Sequence, residues 1–278
     1  MTLPVVMFHL GYQPYVELCV KQASINNKVI FVGDKKNQSL GDIENVQHFL
    51  IDDYDQGVDE FVKSYKHMAT SGVEYTKVCF TRWLYCRNVL KSLSIDRFFH
   101  SDSDNLIYSN IDEVYDRLGR PAFSLSVPMN QPIFRDSAAA TTSFWTMDVL
   151  EDFCRFMLDC YKSKDKLDLL EDKWEWHQEQ SLPGGVIDMT ALWHYVQESD
   201  HSIITKAYND EEAFDHNMNS SENYFPNEYS MKDGFKEITF LDGQPYGHNL
   251  VLNKKIKFHT LHFQGGAKRL MSKYMRNL

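Results

Sequence analysis

Asp102-Ser103-Asp104 is the sharpest chemical feature of the chain. Two carboxylates two residues apart at the carboxyl end of a buried strand can share a hard divalent cation, and such a cation neutralises phosphate oxygens. The same residue types also favour turns through local hydrogen bonds, so a turn is the competing reading. A second feature is His262-Phe263-Gln264-Gly265-Gly266-Ala267-Lys268, directly after the strand-like run from Lys257 to Leu261. A neutral imidazole can complete a metal's ligand set, glycines let backbone N–H groups approach a diphosphate, and Lys268 supplies positive charge. Asp188 follows Pro183-Gly184-Gly185 and precedes Leu192, Trp193 and Val196 at helical spacing, a place suited to a helix N-cap.

Ligands such as these must be held at strand ends. Val5-Val6-Met7-Phe8 and Val29-Ile30-Phe31-Val32 are short continuous apolar runs on either side of a helical stretch from about Tyr15 to Ile25, which predicts a βαβ opening. Ligands of parallel sheets bind at the carboxyl ends of strands, which places His9 to Tyr12 and Asp34 at a binding edge. Phe80, Trp83, Leu84, Leu90 and Leu93 predict a helix between about Tyr75 and Leu93, with Arg82 and Arg87 outside its apolar set. The strand Arg97 to His100 then runs into the Asp102–Asp104 pair. A helix over Ile111–Leu118 and a strand over Ala122–Val127 continue the alternation, and from Pro128 the rhythm changes. A small polar segment (135–143) is followed by a helix carrying Leu150, Phe153, Met157, Cys160 and Tyr161 on one face. Beyond it lie a charged stretch from Lys162, an aromatic cluster at Trp174, Trp176 and His177, and a helix opening at Asp188. The acidic segment from Asn209 to Gly234 is expected to form loops over the site or a lid.

The 278 residues carry 29 Lys and Arg against 39 Asp and Glu, a net charge of −10 that argues against coating a nucleic-acid backbone. Five cysteines without a CxxC read as reduced thiols. No apolar run approaches the roughly 20 residues of a membrane span, and no signal-peptide pattern opens the chain, so a soluble, cytoplasmic protein is expected. The basic C-terminus, with Arg269, Lys273 and Arg276, could touch an acidic membrane surface.

Taken together, these motifs resemble the nucleotide-sugar-dependent glycosyltransferases of the GT-A fold, over most of the chain. The resemblance implies an α/β fold with a Rossmann-type mixed, mostly parallel sheet flanked by helices, in a single domain spanning 1–278. Residues 1–127 would be the nucleotide-sugar-binding half, and 128–278 the acceptor-binding half with the C-terminal phosphate and metal motif. It implies Mn²⁺ or Mg²⁺ held by Asp102 and Asp104, with His262 as third ligand. Gly265 and Lys268 would lie at the phosphates; His9, Leu10, Tyr12 and Asp34 would hold base and ribose. Arg82 and Ser103 would contact the donor. Asp188 would be the general base of an inverting transfer, although Ile187 and the glycine-free Ser143-Phe144-Trp145 depart from the family pattern. The expected activity is transfer of a sugar, from a UDP-sugar by preference, to a carbohydrate acceptor. Trp174 and Trp176 are candidates for stacking on sugar rings. Two alternatives stay open: a phosphohydrolase with Asp102 as nucleophile and Asp104 as acid/base, and an inactive carbohydrate-binding protein of the same fold.

Overall fold

The computed structural model describes residues 2–126 and 135–276. Its first unit is β1 (Val5–His9), α1 (Pro14–Ser24) and β2 (Val29–Gly33), with the strands parallel and in register from Val5 against Val29. There follow β3 (Val46–Leu50), α2 (Val58–Ser64), α3 (Val73–Ser92), β4 (Arg97–Ser101), β5 (Asn105–Ile107) and α4 (Ile111–Arg117). The sequence periodicity explains the layering. Val5 and Met7 pack with Val16, Val20 and Ala23 of α1 on one sheet face, whereas Val6 and Phe8 pack with Phe80, Trp83 and Leu84 of α3 on the other. A strand covered on both faces reads as an unbroken apolar run.

The central sheet has the order β3-β2-β1-β4 and ends on β7 (Thr142–Thr146), which runs antiparallel to β4. The class is therefore α/β, a mostly parallel sheet flanked by helices, as the alternating pattern predicts. The chain steps outward from β1 to β2 and β3, then returns to β4 on the other side of β1. That reversal leaves a crevice at the carboxyl ends of β1 and β4, the point where sheets of this type bind ligands.

The second half departs further from expectation. The strand expected over Ala122–Val127 is reduced to β6 (Ser124–Leu125), and Val127 and Pro128 lie outside the described residues. Ser143-Phe144-Trp145 is the middle of β7, with Phe144 and Trp145 buried at 0% and 1% exposure. Helix α5 (Met147–Lys162) buries the expected face of Leu150, Phe153, Met157, Cys160 and Tyr161. The charged stretch and aromatic cluster after it form one helix, α6 (Lys164–Glu179), and α7 (Asp188–Glu198) follows. The remaining strands are β8 (Ser202–Ile203), β9 (Glu212–Ala213), β10 (Met231–Lys232), β11 (Phe235–Lys236), β12 (Ile238–Leu241), β13 (Gln244–Asn249), β14 (Lys254–Phe258) and β15 (Thr260–His262), before a terminal turn, α8 (Met271–Tyr274). Strands β12, β13, β14 and β9 make a second sheet.

The turn before α7 is tightly built. Gly185 has φ +126°, and a Cβ added there would stand 2.4 Å from the Met68 carbonyl oxygen and 2.7 Å from the Ala69 Cα. Gly185→Ala is therefore expected to destabilise the fold by about 1–3 kcal/mol through backbone strain alone. Chemical denaturation of the variant checks this, and an unchanged midpoint would show that the turn can relax.

The five cysteines are all free, and only Cys79 is not fully buried. No helix among the described residues is long and apolar enough to cross a membrane.

Candidate functional site

The Asp102–Asp104 turn leaves β4 at the crevice, and its backbone closes through Asn105 N–H donating to the Asp102 carbonyl at 3.2 Å. Neither carboxylate is spent on the turn. The Asp102 Oδ1 accepts from Arg82 Nη1 at 2.8 Å, and Asp104 faces His262 Nε2 at 3.4 Å and Lys268 Nζ at 3.1 Å. The turn chemistry that competes for these residues in the sequence is thus carried by the backbone and by Asn105.

Antiparallel pairing of β15 with β5 brings the two motifs together. His262 stands opposite Asn105, and Phe263 N–H donates to the Asp104 carbonyl at 2.9 Å. One ligand atom from each of Asp102, Asp104 and His262 lies within 4.8 Å of the others. His262 is 5% exposed and donates through Nδ1 to the His216 carbonyl at 2.6 Å, which leaves Nε2 aimed at Asp104. Burial alone would push the imidazole pKa down, but the hydrogen bond and charge of Asp104 outweigh it and hold the ring protonated up to about 9. The same contacts, with Lys268, overcome burial at Asp104 and hold its carboxyl down at about 2. Asp102 is pushed the other way, mainly by burial and against the pull of Arg82. The proton on His262 thus stands where a cation would serve the same carboxylates, and two carboxylates with one imidazole are a donor set for a divalent cation.

The other expected residues distribute around this centre. His9, at the end of β1, meets the Ser103 hydroxyl through Nδ1 at 2.8 Å, and its ring lies edge-on to Tyr15 at 5.9 Å. Lys268 sits 4.9 Å from the centre of the Tyr15 ring. Asp34 receives the Gly11 N–H on Oδ2 at 2.9 Å and that of Lys36 on Oδ1, also at 2.9 Å, so it shapes the loops after β1 and β2. Leu10 packs against the core. Tyr12 is 45% exposed, its hydroxyl donating to Glu17 Oε2 at 2.5 Å. Gly265 has φ +57°, and a Cβ on it or on Gly266 would meet nothing within 4 Å, so this loop edge is open space.

Asp188 is not the N-cap that its sequence position suggests. Ile187 holds that place, and Asp188 is the first helical residue of α7, 4% exposed. Its Oδ2 accepts from Arg82 Nε at 3.1 Å, Arg82 Nη2 at 2.7 Å and Trp83 Nε1 at 2.9 Å. Arg82 therefore spans from α7 to the Asp102–Asp104 turn, although the helical pattern of α3 places it merely off the apolar stripe. Lys173 of α6, 2% exposed, buttresses the same helix start through Thr190 Oγ1 at 2.7 Å. Burial lowers its pKa to about 8 against the pull of Asp136.

Several residues here escape sequence reading. Trp83 reads as core and is core, yet a buried indole N–H needs an acceptor, and that requirement points to a polar partner beside the helix. Asn37 is wholly buried and donates to the His9 and Gly11 carbonyls at 2.7 and 2.9 Å, tying the β1 loop down. The acidic segment from Asn209 is mostly loop and meets the site through Asp215 and His216, which bond His262, while Asp215, Asn223 and Glu228 are 0–2% exposed. At the C-terminus, Arg276 is committed within the fold, its N–H to Gln22 Oε1 at 3.0 Å and its Nε to the Gly243 carbonyl at 3.2 Å. A cavity of about 900 Å³ opens at the opposite end of the sheet, beside Pro4, Lys28, Asn45 and Arg97, and contains none of the expected site residues.

No protein-family model matches the chain, and no curated protein matches it. Among solved structures it is similar to the apo form of mouse xyloside xylosyltransferase 1, with TM-score 0.48 and 11% identity over 73% of this chain and 85% of that one. It is also similar to a glycosyltransferase involved in glycosylation of the major capsid of PBCV-1, with TM-score 0.42 and 9% identity over 98% of both chains. A third is the glycosyltransferase GlyE of Streptococcus pneumoniae TIGR4, with TM-score 0.38 and 12% identity over 76% of this chain and 47% of that one. Likenesses this distant say nothing of substrate or mechanism.

Proposed function

We propose that the chain is a metal-dependent glycosyltransferase that moves a sugar from a nucleoside diphosphate donor, a UDP-sugar by preference, to a carbohydrate hydroxyl. The observation that carries this reading is the convergence of Asp102, Asp104 and His262 within 4.8 Å at the crevice between β1 and β4, beside Lys268 and an open glycine loop. Residues 1–127 would bind the donor and residues 128–278 the acceptor, within one domain. Asp102, Asp104 and His262 would hold Mn²⁺ or Mg²⁺, which supplies Lewis-acid stabilisation of diphosphate charge. Lys268 would add its positive charge at the phosphates as the leaving group gathers negative charge. His9, Leu10, Tyr12, Asp34 and Ser103 would face the nucleoside side, and Arg82 would link the donor turn to α7.

Asp188 would act as general base in an inverting transfer through Oδ1, since its three donors all lie on Oδ2. Determining the anomeric configuration of the product by NMR checks this: inversion is expected, and a retained anomer would remove that role. The phosphohydrolase alternative asks Asp104 to donate a proton, whereas His262 and Lys268 beside it lower its pKa and favour the ionised form.

The test is calorimetric titration with UDP, GDP and CMP, with and without Mn²⁺. Tight binding of one nucleoside diphosphate only with metal is expected, and no binding by folded protein overturns the reading. A pH dependence arises from His262, whose pKa is about 9 without metal and whose proton must leave when it ligates. Apparent Mn²⁺ affinity should therefore rise by up to about tenfold per pH unit from pH 7 toward 9 and then level off. The folding linkage has the opposite sense. The His262 pKa is raised above its ordinary 6.5, so its contribution to stability is full below that value and is lost as pH rises through about 9. Affinity measured between pH 6.5 and 9.5 checks the first, and a flat profile would exclude His262 as a ligand.

A further inference from the structure

A fully buried ion pair lies behind His262, outside the set of residues that would touch substrate. Lys236 of β11 and Asp215 both have side chains at 0% exposure, with Nζ and Oδ1 2.5 Å apart. The ammonium also donates to the Asn217 carbonyl at 2.9 Å, the Glu222 carbonyl at 3.0 Å and Asn223 Oδ1 at 3.2 Å. A pair this deep is an inefficient way to gain stability, because desolvation offsets most of its attraction and apolar residues of the same volume serve as well or better. What the pair does have is a geometric consequence. The second oxygen of Asp215 accepts the His262 backbone N–H at 3.0 Å. The next residue, His216, offers its carbonyl to the His262 ring at 2.6 Å. Met218 closes the frame, donating to the His262 carbonyl at 2.9 Å and accepting from Lys236 N–H at 2.8 Å. Both the backbone and the ring of His262 are therefore gripped by the loop that Lys236 organises, and the ring is left with Nε2 toward Asp104.

We propose that the Lys236–Asp215 pair is a positioning device that pre-sets the His262 imidazole for a divalent cation, with Lys236 and Asp215 as positioning residues. The inference rests on the metal-dependent reading above. The His262 Nδ1 is held by the His216 carbonyl, next in the chain to Asp215, and outer partners that orient a ligating histidine are worth about ten- to hundredfold in metal affinity; Lys236 and Asp215 act on the ring through this backbone. Removing Lys236 alone would leave Asp215 buried and uncompensated, so the informative variants replace both partners. K236M/D215L is expected to fold and to bind Mn²⁺ about ten- to hundredfold more weakly than the wild type. K236M/D215N returns an acceptor to the His262 N–H and should recover part of the loss at equal thermal stability, which a merely structural role would not produce. Wild-type affinity in a folded K236M/D215L protein overturns the proposal.

A measurement on the unaltered chain decides the matter should the double variants not fold. The His262 amide should exchange with deuterium only on global unfolding, and exchange by local opening would overturn the device. Failure of the wild type to bind Mn²⁺ at all would instead sink the metal-dependent reading, and the amide exchange would then decide by itself whether His262 is held as described.

Discussion

Asp104→Asn should lower Mn²⁺ affinity at least about a hundredfold and abolish metal-dependent nucleotide binding, the largest functional loss expected from any single change in this protein. The substitution keeps the size of the side chain and removes its charge. It deprives a cation of one of two carboxylates and leaves the His262 imidazole and the Lys268 ammonium facing a neutral amide where each now meets an anion, at 3.4 and 3.1 Å. Without that anion, burial is opposed only by the His216 carbonyl and the charge of Asp102, so the His262 pKa should fall from about 9. Two readouts therefore move together: Mn²⁺ titration by calorimetry and the histidine titration by NMR. A variant that keeps both the affinity and the high imidazole pKa would show that Asp104 is neither ligand nor counter-charge.

The second large effect concerns stability. Arg82→Met should cost about 3–5 kcal/mol, because breaking a buried ion pair from one side leaves the other charge without compensation. The lower end of that range is expected: the Asp188 side chain is 5% exposed, but Asp102 is 23% and Arg82 itself 17%. The loss should also depend on pH in a defined direction. A buried carboxylate that has lost its cation takes up a proton more readily than in the unfolded chain, and Asp102 is already displaced that way by burial. Folded protein then binds more protons than unfolded protein, so stability falls as pH rises. The deficit relative to wild type should be larger at pH 8 than at pH 5. Denaturant midpoints at the two pH values check it, and an equal deficit at both would mean that Arg82 acts by packing alone. R82M/D188L, which removes the buried charge along with its partner, should recover much of the loss.

Much of the architecture was legible because local periodicity and layer structure coincide in this chain. The runs Val5–Phe8 and Val29–Val32 are apolar throughout because helices cover both faces of those strands, and the period of α3 reflects the packing of one stripe on the sheet. The elements that escaped reading are those whose sequence carries two messages. Ser143-Phe144-Trp145 follows a small polar segment and carries no strand signal of its own, yet β7 is the antiparallel edge of the sheet, and pairing with β4 makes it a strand. Residues 162–179 look like charge followed by aromatics, but a surface helix tolerates both on its two faces.

The sequence by itself determined which groups are available for chemistry: the Asp102 and Asp104 carboxylates, the His262 imidazole, Lys268 beyond two glycines, and strand ends at His9 and Asp34. Residue type and spacing along the chain suffice for that, since a strand end presents the residues just beyond it at the edge of the sheet. Only the tertiary structure decided who partners whom. Pairing of β5 with β15 set His262 against Asp104, the packing of α3 on α7 turned Arg82 into a bridge from Asp188 to Asp102, and burial of Lys236 with Asp215 locked the frame behind His262. Such pairings join residues far apart in the chain, and the energies that select them are charge, desolvation and hydrogen-bond geometry in a low-dielectric interior, none of which is a property of local sequence.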